Sequence, residues 1–326
     1  MTTGNQGDEA AKGLTDERDR ALLDLLRALA EEDYSFTTIT PASHTRVIAR
    51  KPEGKSLRDV FGWSLPFREA ALPPRFLDLL RKAGAVEADG DRLRCTVRVS
   101  SLAGSLFLHS AFPTDSQDAV FFGPDTYRYA ALLEAELPRL GSIRRIVDVG
   151  AGSGAGGIVS ARLAPGAALT LTDVNPSALR LSAVNAAYAG VQAELVECSG
   201  LEDVREDVDL MIANPPFIMD QDGRAYRDGG GMHGAQLSFD WAIAGARRLA
   251  PGGHLILYTG VAIVDGRDEL REALERDLPP LGCSLTYREL DPDVFGEELE
   301  GPAYRDVERI AAIGAVIAKE GSAPAA

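Results

Sequence analysis

At 326 residues, with 45% hydrophobic and 25% charged side chains, the chain is long enough for two separately cored domains and has the make-up of a soluble globular protein. The net charge of −15 is uneven: residues 1–140 hold 18 Lys/Arg against 21 Asp/Glu, the remainder 16 against 28. An acidic second part is repelled by a phosphate backbone, which argues against a nucleic-acid partner, and the dispersed Cys95, Cys198 and Cys283 exclude a disulfide framework.

In chain order, MTTGNQGDEAAKG (1–13) is polar and Gly-rich and reads as disordered. It lacks a basic stretch followed by an apolar one, and no window of the chain approaches the ~18 apolar residues of a membrane span, so a cytoplasmic location is expected. From Asp16 to about Tyr34, Ala21, Leu22, Leu25, Leu26, Ala28 and Leu29 recur at helical spacing. LPPRFLDLLRKAG predicts a second helix, with prolines at its start and Gly84 as its stop. In AVEADGDRLRCTVRV, Asp-Gly between two β-rich runs predicts a hairpin. Helix followed by hairpin resembles a winged-helix unit, so residues 14–115 are expected to form a smaller α+β domain.

From about residue 143 the rhythm changes to the short apolar runs IRRIVDVG, ALTLTDV, AELVEC, VDLMIANPPF, HLILYTG, SLTYREL and IAAIGAVIA. Helical patterns lie between them: GGIVSARLA, PSALRLSAVNAAYAG, LSFDWAIAGARRLA and DELREALERDL. Apolar strands alternating with helices predict an α/β fold, a doubly wound, mostly parallel seven-stranded sheet covered on both faces, over residues 116–320. DPDVFGEELEGPAYRDVER (291–309) reads as a long excursion between the last two strands, and the tail 321–326 as disordered.

VDVGAGSGAGG follows the first of these strands and opens a helix, where glycines let a ligand approach the backbone and the helix N-terminal amides. Read from Gly152 it satisfies GxGxxG, so a dinucleotide site is a rival. Asp148, two residues before Gly150, instead completes the Asp-x-Gly-x-Gly-x-Gly pattern of S-adenosylmethionine-dependent methyltransferases. A carboxylate there suits a cationic amino-acid end and is unhelpful beside a pyrophosphate. Asp173, at the end of the second strand, can accept hydrogen bonds from ribose hydroxyls in either class of ligand.

The fourth strand stops at Asn214-Pro215-Pro216-Phe217. The prolines lack an amide hydrogen, so the strand must end and the chain beyond it stiffens. Asn214 can then offer its amide oxygen, with a neighbouring backbone carbonyl, to one –NH2 group, and Phe217 a flat face to a planar acceptor. That chemistry suits a carboxamide or an exocyclic amine, whose delocalised lone pair makes positioning the larger part of catalysis.

VDVGAGSG, TDVNPSAL and DLMIANPPF, in that order, resemble the class I amino-methyltransferases, which include release-factor glutamine methyltransferases and N6-adenine methyltransferases. FFGPDTYRYAALLEAEL and YRDGGGMHGAQLSFDWAIAGARRLAPGGHLILYTG are similar to segments of the glutamine branch. The resemblance covers roughly residues 120–262 and implies S-adenosylmethionine as cofactor on a Rossmann-like methyltransferase sheet. It places Asp148, Gly150, Gly152 and Gly154 at the methionine end, Asp173 with Asn175 nearby at the ribose, and Asn214, Pro215 and Phe217 at the acceptor. A protein glutamine is the favoured acceptor, with adenine in RNA or DNA and a small molecule as alternatives. The N-terminal domain would serve as substrate lid or homodimer contact. The chain departs from the pattern after the third strand, where Gly200 stands in place of an acid; Glu202, Asp203 or a backbone group is expected to meet the adenine.

His109, His233 and His254 have no ligand-like spacing, so no metal is expected. His233, in a Gly-rich loop, is the histidine expected nearest substrate. Trp63 and Trp241 read as core anchors. Tyr127 and Tyr129 fit either helix packing or a place beside the cofactor.

Overall fold

The computed structural model describes residues 14–114, 116–204, 207–219 and 227–321. Of the expected disordered segments 1–13 and 321–326, all but Gly321 lie outside these residues.

Helix α1 (Glu17–Glu31) starts behind Asp16, whose carboxylate accepts the Arg18 amide at 2.7 Å. Leu22, Leu25, Leu26 and Leu29 form its buried stripe, because positions three and four apart share a helix face. A short helix α2 (Pro41–Ile48), capped by the Thr40 hydroxyl, has too few turns to announce itself by periodicity. Helix α3 (Pro74–Ala83) ends at Gly84 in the left-handed region (φ 64°) and leads into the hairpin of β1 (Val86–Asp89) and β2 (Arg92–Cys95). A second hairpin, β3 (Val97–Leu102) and β4 (Ser105–Ser110), turns through Ala103-Gly104, both at positive φ. Such a turn matches strand twist, but alanine is an unusual occupant, so the hairpin escapes a reading based on Asn-Gly or Asp-Gly pairs.

Helix α4 (Pro124–Glu136) then leads into the main sheet. Its elements are β5 (Arg145–Val149), α5 (Ala155–Leu163), β6 (Ala168–Asp173), α6 (Pro176–Ala189), β7 (Ala193–Glu197) and β8 (Val208–Ala213). They continue with α7 (Gln236–Arg248), β9 (Leu249–Val264), the two-residue β10 (Arg267–Asp268), α8 (Glu269–Asp277), β11 (Cys283–Asp291) and β12 (Arg309–Lys319). The strand order is β11-β12-β9-β8-β5-β6-β7, with β10 pairing on β9. Strands β5 to β9 pair in parallel, and β12 is antiparallel to both β9 and β11. This is the doubly wound, mostly parallel sheet the sequence predicts, with β10 as an addition. The order reverses beside β5, and the crevice at the carboxyl ends of β5 and β8 is where such sheets bind ligands.

The N-terminal elements share a core with the sheet's own helix. Ala178, Leu181, Val184 and Ala187 of α6 belong to the same buried cluster as Leu22 and Leu26 of α1, Leu80 of α3 and Leu108 of β4. The Asn185 side chain fastens this joint, with its oxygen accepting the Leu108 amide at 2.8 Å. Its nitrogen donates to the carbonyls of Leu108 and Ser153, each at 2.9 Å. No helix among the described residues is long and apolar enough to cross a membrane.

Candidate active site

The chain leaves β5 through Gly150, Gly152 and Gly154, all at positive φ (66°, 55° and 75°), a path that L side chains rarely follow. The loop is pinned by carboxylates. The Gly157 amide donates to Asp148 Oδ2 at 2.7 Å, and the Gly152 amide to Asp173 Oδ2 at 2.8 Å. Asp173 Oδ1 accepts the Asn175 amide at 2.8 Å. Together they shape a cavity of about 250 Å³, lined by Asp148, Gly150, Gly152, Asp173, Asn175 and Trp241 among others.

Asp148 is 2% exposed, and burial pushes its carboxyl up to about 7 against the opposing Gly157 hydrogen bond; the charge of Asp173 adds to the rise. Burial also raises Asp173, opposed by the amides it accepts from. Two expected cofactor residues have other work. Gly154 caps α5, and a Cβ there would stand 2.9 Å from Ser182 Cβ, so this glycine serves helix packing and does not line the cavity. The Asn175 side chain lines the cavity but is engaged, accepting from the Ser177 amide and donating to the Asp118 carbonyl, each at 2.9 Å.

Two aromatic residues make the cavity fit a nucleoside bearing an amino acid. Tyr129 lines it with a buried hydroxyl that has no hydrogen-bond partner among the described residues, an orphaned polar atom facing the glycine loop and Asp148. Trp241 packs against the sheet core, as read from sequence, and also lies against the loop. A Cβ on Gly150 would come within 2.7 Å of its ring, and one on Gly200 within 3.1 Å of its Nε1. Cys198, Ser199 and Gly200 complete that wall, while Glu202 and Asp203 are exposed and outside it. Neither acidic side chain expected to meet the adenine lines this cavity. Only the fold could reveal Trp241, because it sits on α7, far in sequence from the loop it touches.

At the end of β8, Asn214 and Pro216 line this cavity and also a second one of about 450 Å³, which Pro215 and Phe217 line as well. Among the described residues the Asn214 side chain makes no hydrogen bond. Phe217 is buried, and its ring meets Phe295 edge-on at 5.4 Å. A Cβ at Gly260 would collide with that ring, and one at Gly234 with the Phe217 carbonyl, so both glycines are room for the corner. The excursion 291–309 closes one side of the second cavity through Asp293, Val294, Phe295 and Glu297. Its Tyr304 hydroxyl accepts the Met219 amide at 2.8 Å. The N-terminal elements line it as well, through residues 38–41, Arg98, His109, Ser110 and residues 112–114.

Asp125 lines the same cavity, accepting from the Tyr258 hydroxyl at 2.5 Å and pairing with Arg128, which also donates to Asp291 at 2.8 Å. Burial raises the Asp125 carboxyl, with Tyr258 and Arg128 acting against the rise. His109 is buried, bonded through Nε2 to the Ser100 hydroxyl at 2.9 Å and stacked on Phe122, and burial holds it neutral. His233 is not at the Asn214 corner. It stands 3.3 Å from Asp306 in a separate surface pocket, because the Gly-rich loop turns its backbone, not its histidine, toward Phe217. Tyr127 forms no part of the first cavity's wall; its hydroxyl accepts the Thr38 amide at 3.0 Å. Trp63 packs on the N-terminal core as expected.

Residues 116–259 match the Methyltransferase small domain family. A release factor glutamine methyltransferase of Deinococcus radiodurans is 30% identical over 212 residues, which cover 64% of this chain and 74% of that protein. A ribosomal RNA small subunit methyltransferase C of Hahella chejuensis is 33% identical over 126 residues, 39% of this chain and only 34% of that protein. Among solved structures, the Thermus thermophilus 16S rRNA N2 G1207 methyltransferase in complex with AdoMet and guanosine aligns with 18% identity and a TM-score of 0.43, over 78% of this chain and 64% of that one. The chain belongs to the class I S-adenosylmethionine-dependent methyltransferases, within the Methyltransferase small domain family.

Proposed function

We propose that this methyltransferase acts on a planar amide or amine nitrogen presented at Asn214, with a protein glutamine carboxamide as the first reading of the acceptor and a small planar molecule as the second. The observation that carries the reading is that Asn214 and Pro216 line both cavities, so the amide stands where a donor on one side meets an acceptor on the other. The name of the Deinococcus relative supports glutamine.

When bound, S-adenosylmethionine supplies an electrophilic methyl group on a sulfonium. Asp148 and the Gly150–Gly152 backbone hold the amino-acid end in this reading, Asp173 the ribose, and Trp241 the flank of the adenine. At the acceptor, the Asn214 side-chain oxygen accepts a hydrogen bond from the –NH2 and orients the nitrogen lone pair toward the methyl carbon. The lone pair forms the new N–C bond as the C–S pair returns to sulfur. The extra proton on nitrogen then leaves to water, so no general base is needed before attack. The closed corner, stiffened by Pro215 and Pro216, supplies positioning, which does most to lower the barrier for so weak a nucleophile.

Asn214→Ala should lower turnover by ~10²-fold or more and leave S-adenosylhomocysteine affinity within about twofold. The assay uses methyl-labelled S-adenosylmethionine with a cell extract divided into protein, nucleic-acid and small-molecule pools, and calorimetry for the affinity. Full turnover in the variant removes this mechanism. A small planar molecule is the second reading, favoured by the wall that residues 38–41, Ser110 and residues 112–114 give the second cavity. Label in the small-molecule pool selects it over glutamine, and label in nucleic acid selects an exocyclic base amine.

A further inference from the structure

The second cavity holds a charge that the methyl-transfer geometry leaves unused. Arg98, on β3, is only 4% exposed yet lines the cavity. Its Nε donates to the Gly62 carbonyl at 2.7 Å and its Nη2 to His44 Nδ1 at 3.1 Å. A guanidinium only donates, so His44 accepts at Nδ1 and donates from Nε2 to the Trp63 carbonyl at 3.0 Å. The histidine is thus neutral, as its burial and the Arg98 charge both require. The guanidinium also lies over the Phe36 ring at 5.1 Å.

The groups that hold this cation are neutral, a carbonyl, an imidazole and an aromatic face, with the hydroxyls of Tyr34 and Tyr127 nearby, and the guanidinium of Arg58 lies over the same Phe36 ring. Among the described residues no carboxylate pairs with Arg98, whereas Arg128, on the same cavity, pairs with Asp125 and Asp291. A buried cation held only by neutral acceptors is costly, and such a charge lining a cavity marks a site for a counter-charge from outside the chain. The cavity's other walls carry the rings of Phe112, Phe121, Phe122, Phe217 and Phe295 together with the charged Asp125, Arg128, Arg227, Asp293 and Glu297, and about 450 Å³ is the size of a small-molecule site.

We propose that the second cavity takes a small planar acceptor carrying an anionic group, a carboxylate or a phosphate, which pairs with Arg98 while its amide or amine nitrogen lies at Asn214. The inference rests on the Asn214 reading for the position of the nitrogen and selects the small-molecule acceptor within it. Guanidinium presents paired N–H donors to either oxyanion, so carboxylate and phosphate share this chemistry and the probes must separate them.

The test titrates the full-length protein, loaded with S-adenosylhomocysteine, with benzamide, 4-carbamoylbenzoate and 4-carbamoylphenyl phosphate in a calorimeter. At least one anionic probe should bind about tenfold to a hundredfold more tightly than benzamide, the gain of a charge-assisted hydrogen-bonded pair. Which anion binds better names the group. Arg98→Gln should erase the difference and Arg98→Lys retain part of it. Inorganic phosphate should compete with the anionic probes and not with benzamide, a readout in the wild-type protein that does not depend on either variant folding. Equal binding of all three probes, no binding by either anion, or a difference that persists in folded Arg98→Gln would overturn the proposal. Absence of the difference with Asn214 still required for transfer sinks this inference alone. The difference intact with Asn214→Ala fully active sinks the Asn214 reading alone.

Discussion

Asp148 sits beneath the glycine loop with a carboxyl that burial lifts from 3.8 to about 7. The folded state therefore binds this proton more tightly than the unfolded chain. Its contribution to stability is fully present below about pH 4 and is lost as pH rises through about 7. The shift of roughly three units corresponds to ~4 kcal/mol. Urea unfolding of the cofactor-free protein should show stability declining between pH 4 and 7, and Asp148→Asn should remove most of that slope. Equal slopes in the two proteins would mean that the carboxyl ionises normally. At the same scale, Tyr129 buries a hydroxyl without a partner among the described residues. Tyr129→Phe discards a desolvated group worth about 1–3 kcal/mol, so the cofactor-free variant should melt a few degrees higher. It should also bind S-adenosylhomocysteine more weakly if the hydroxyl meets the cofactor, and an unchanged affinity would assign it to packing.

Between elements, Asn185 does most to join the N-terminal hairpin to the glycine loop. One side chain, fully buried on α6, satisfies both the amide and the carbonyl of Leu108 and the carbonyl of Ser153. Asn185→Ala strands three buried backbone groups and should cost about 2–5 kcal/mol by denaturant unfolding. Because Ser153 belongs to the glycine loop that lines the first cavity, the proposed cofactor site, S-adenosylhomocysteine affinity should fall with it. Stability lost with affinity intact would mean that the loop holds its shape unaided. Elements of this kind were only partly readable. The helices over 17–31 and 74–83 declare themselves by apolar spacing, an Asp cap or proline start, and, for the second, a glycine stop. The hairpin 97–110 does not, since its turn uses alanine at positive φ. Asn185 in LSAVNAAYAG looks like any polar residue on a helix until β4 is laid against it.

For the whole molecule, the cluster that unites α1, α3 and β4 with α6 predicts that the two parts of the chain unfold together. Scanning calorimetry should give one endotherm, because melting the N-terminal elements would expose Ala178, Leu181, Val184 and Ala187. Two resolved endotherms would show that this shared core does not couple them. The arrangement also gives the N-terminal part a place at the site. It lines the second cavity together with residues of the 291–309 excursion.

The sequence by itself determined the alternation of strands and helices, the loop at Gly150 and Gly152, the carboxylates Asp148 and Asp173, and the stop at Asn214. Each of these is written within a few neighbouring residues, as periodicity, a missing Cβ or a missing amide hydrogen. Only the tertiary structure decided that Trp241 lies on Gly150, that His233 turns away to Asp306, that Gly154 and the Asn175 side chain serve packing and capping, and that Arg98 shares a cavity with Asn214. Those outcomes depend on which surfaces meet across long stretches of chain, and burial, which turns Arg98 into a cation in need of a partner and lifts Asp148, exists only once they have met.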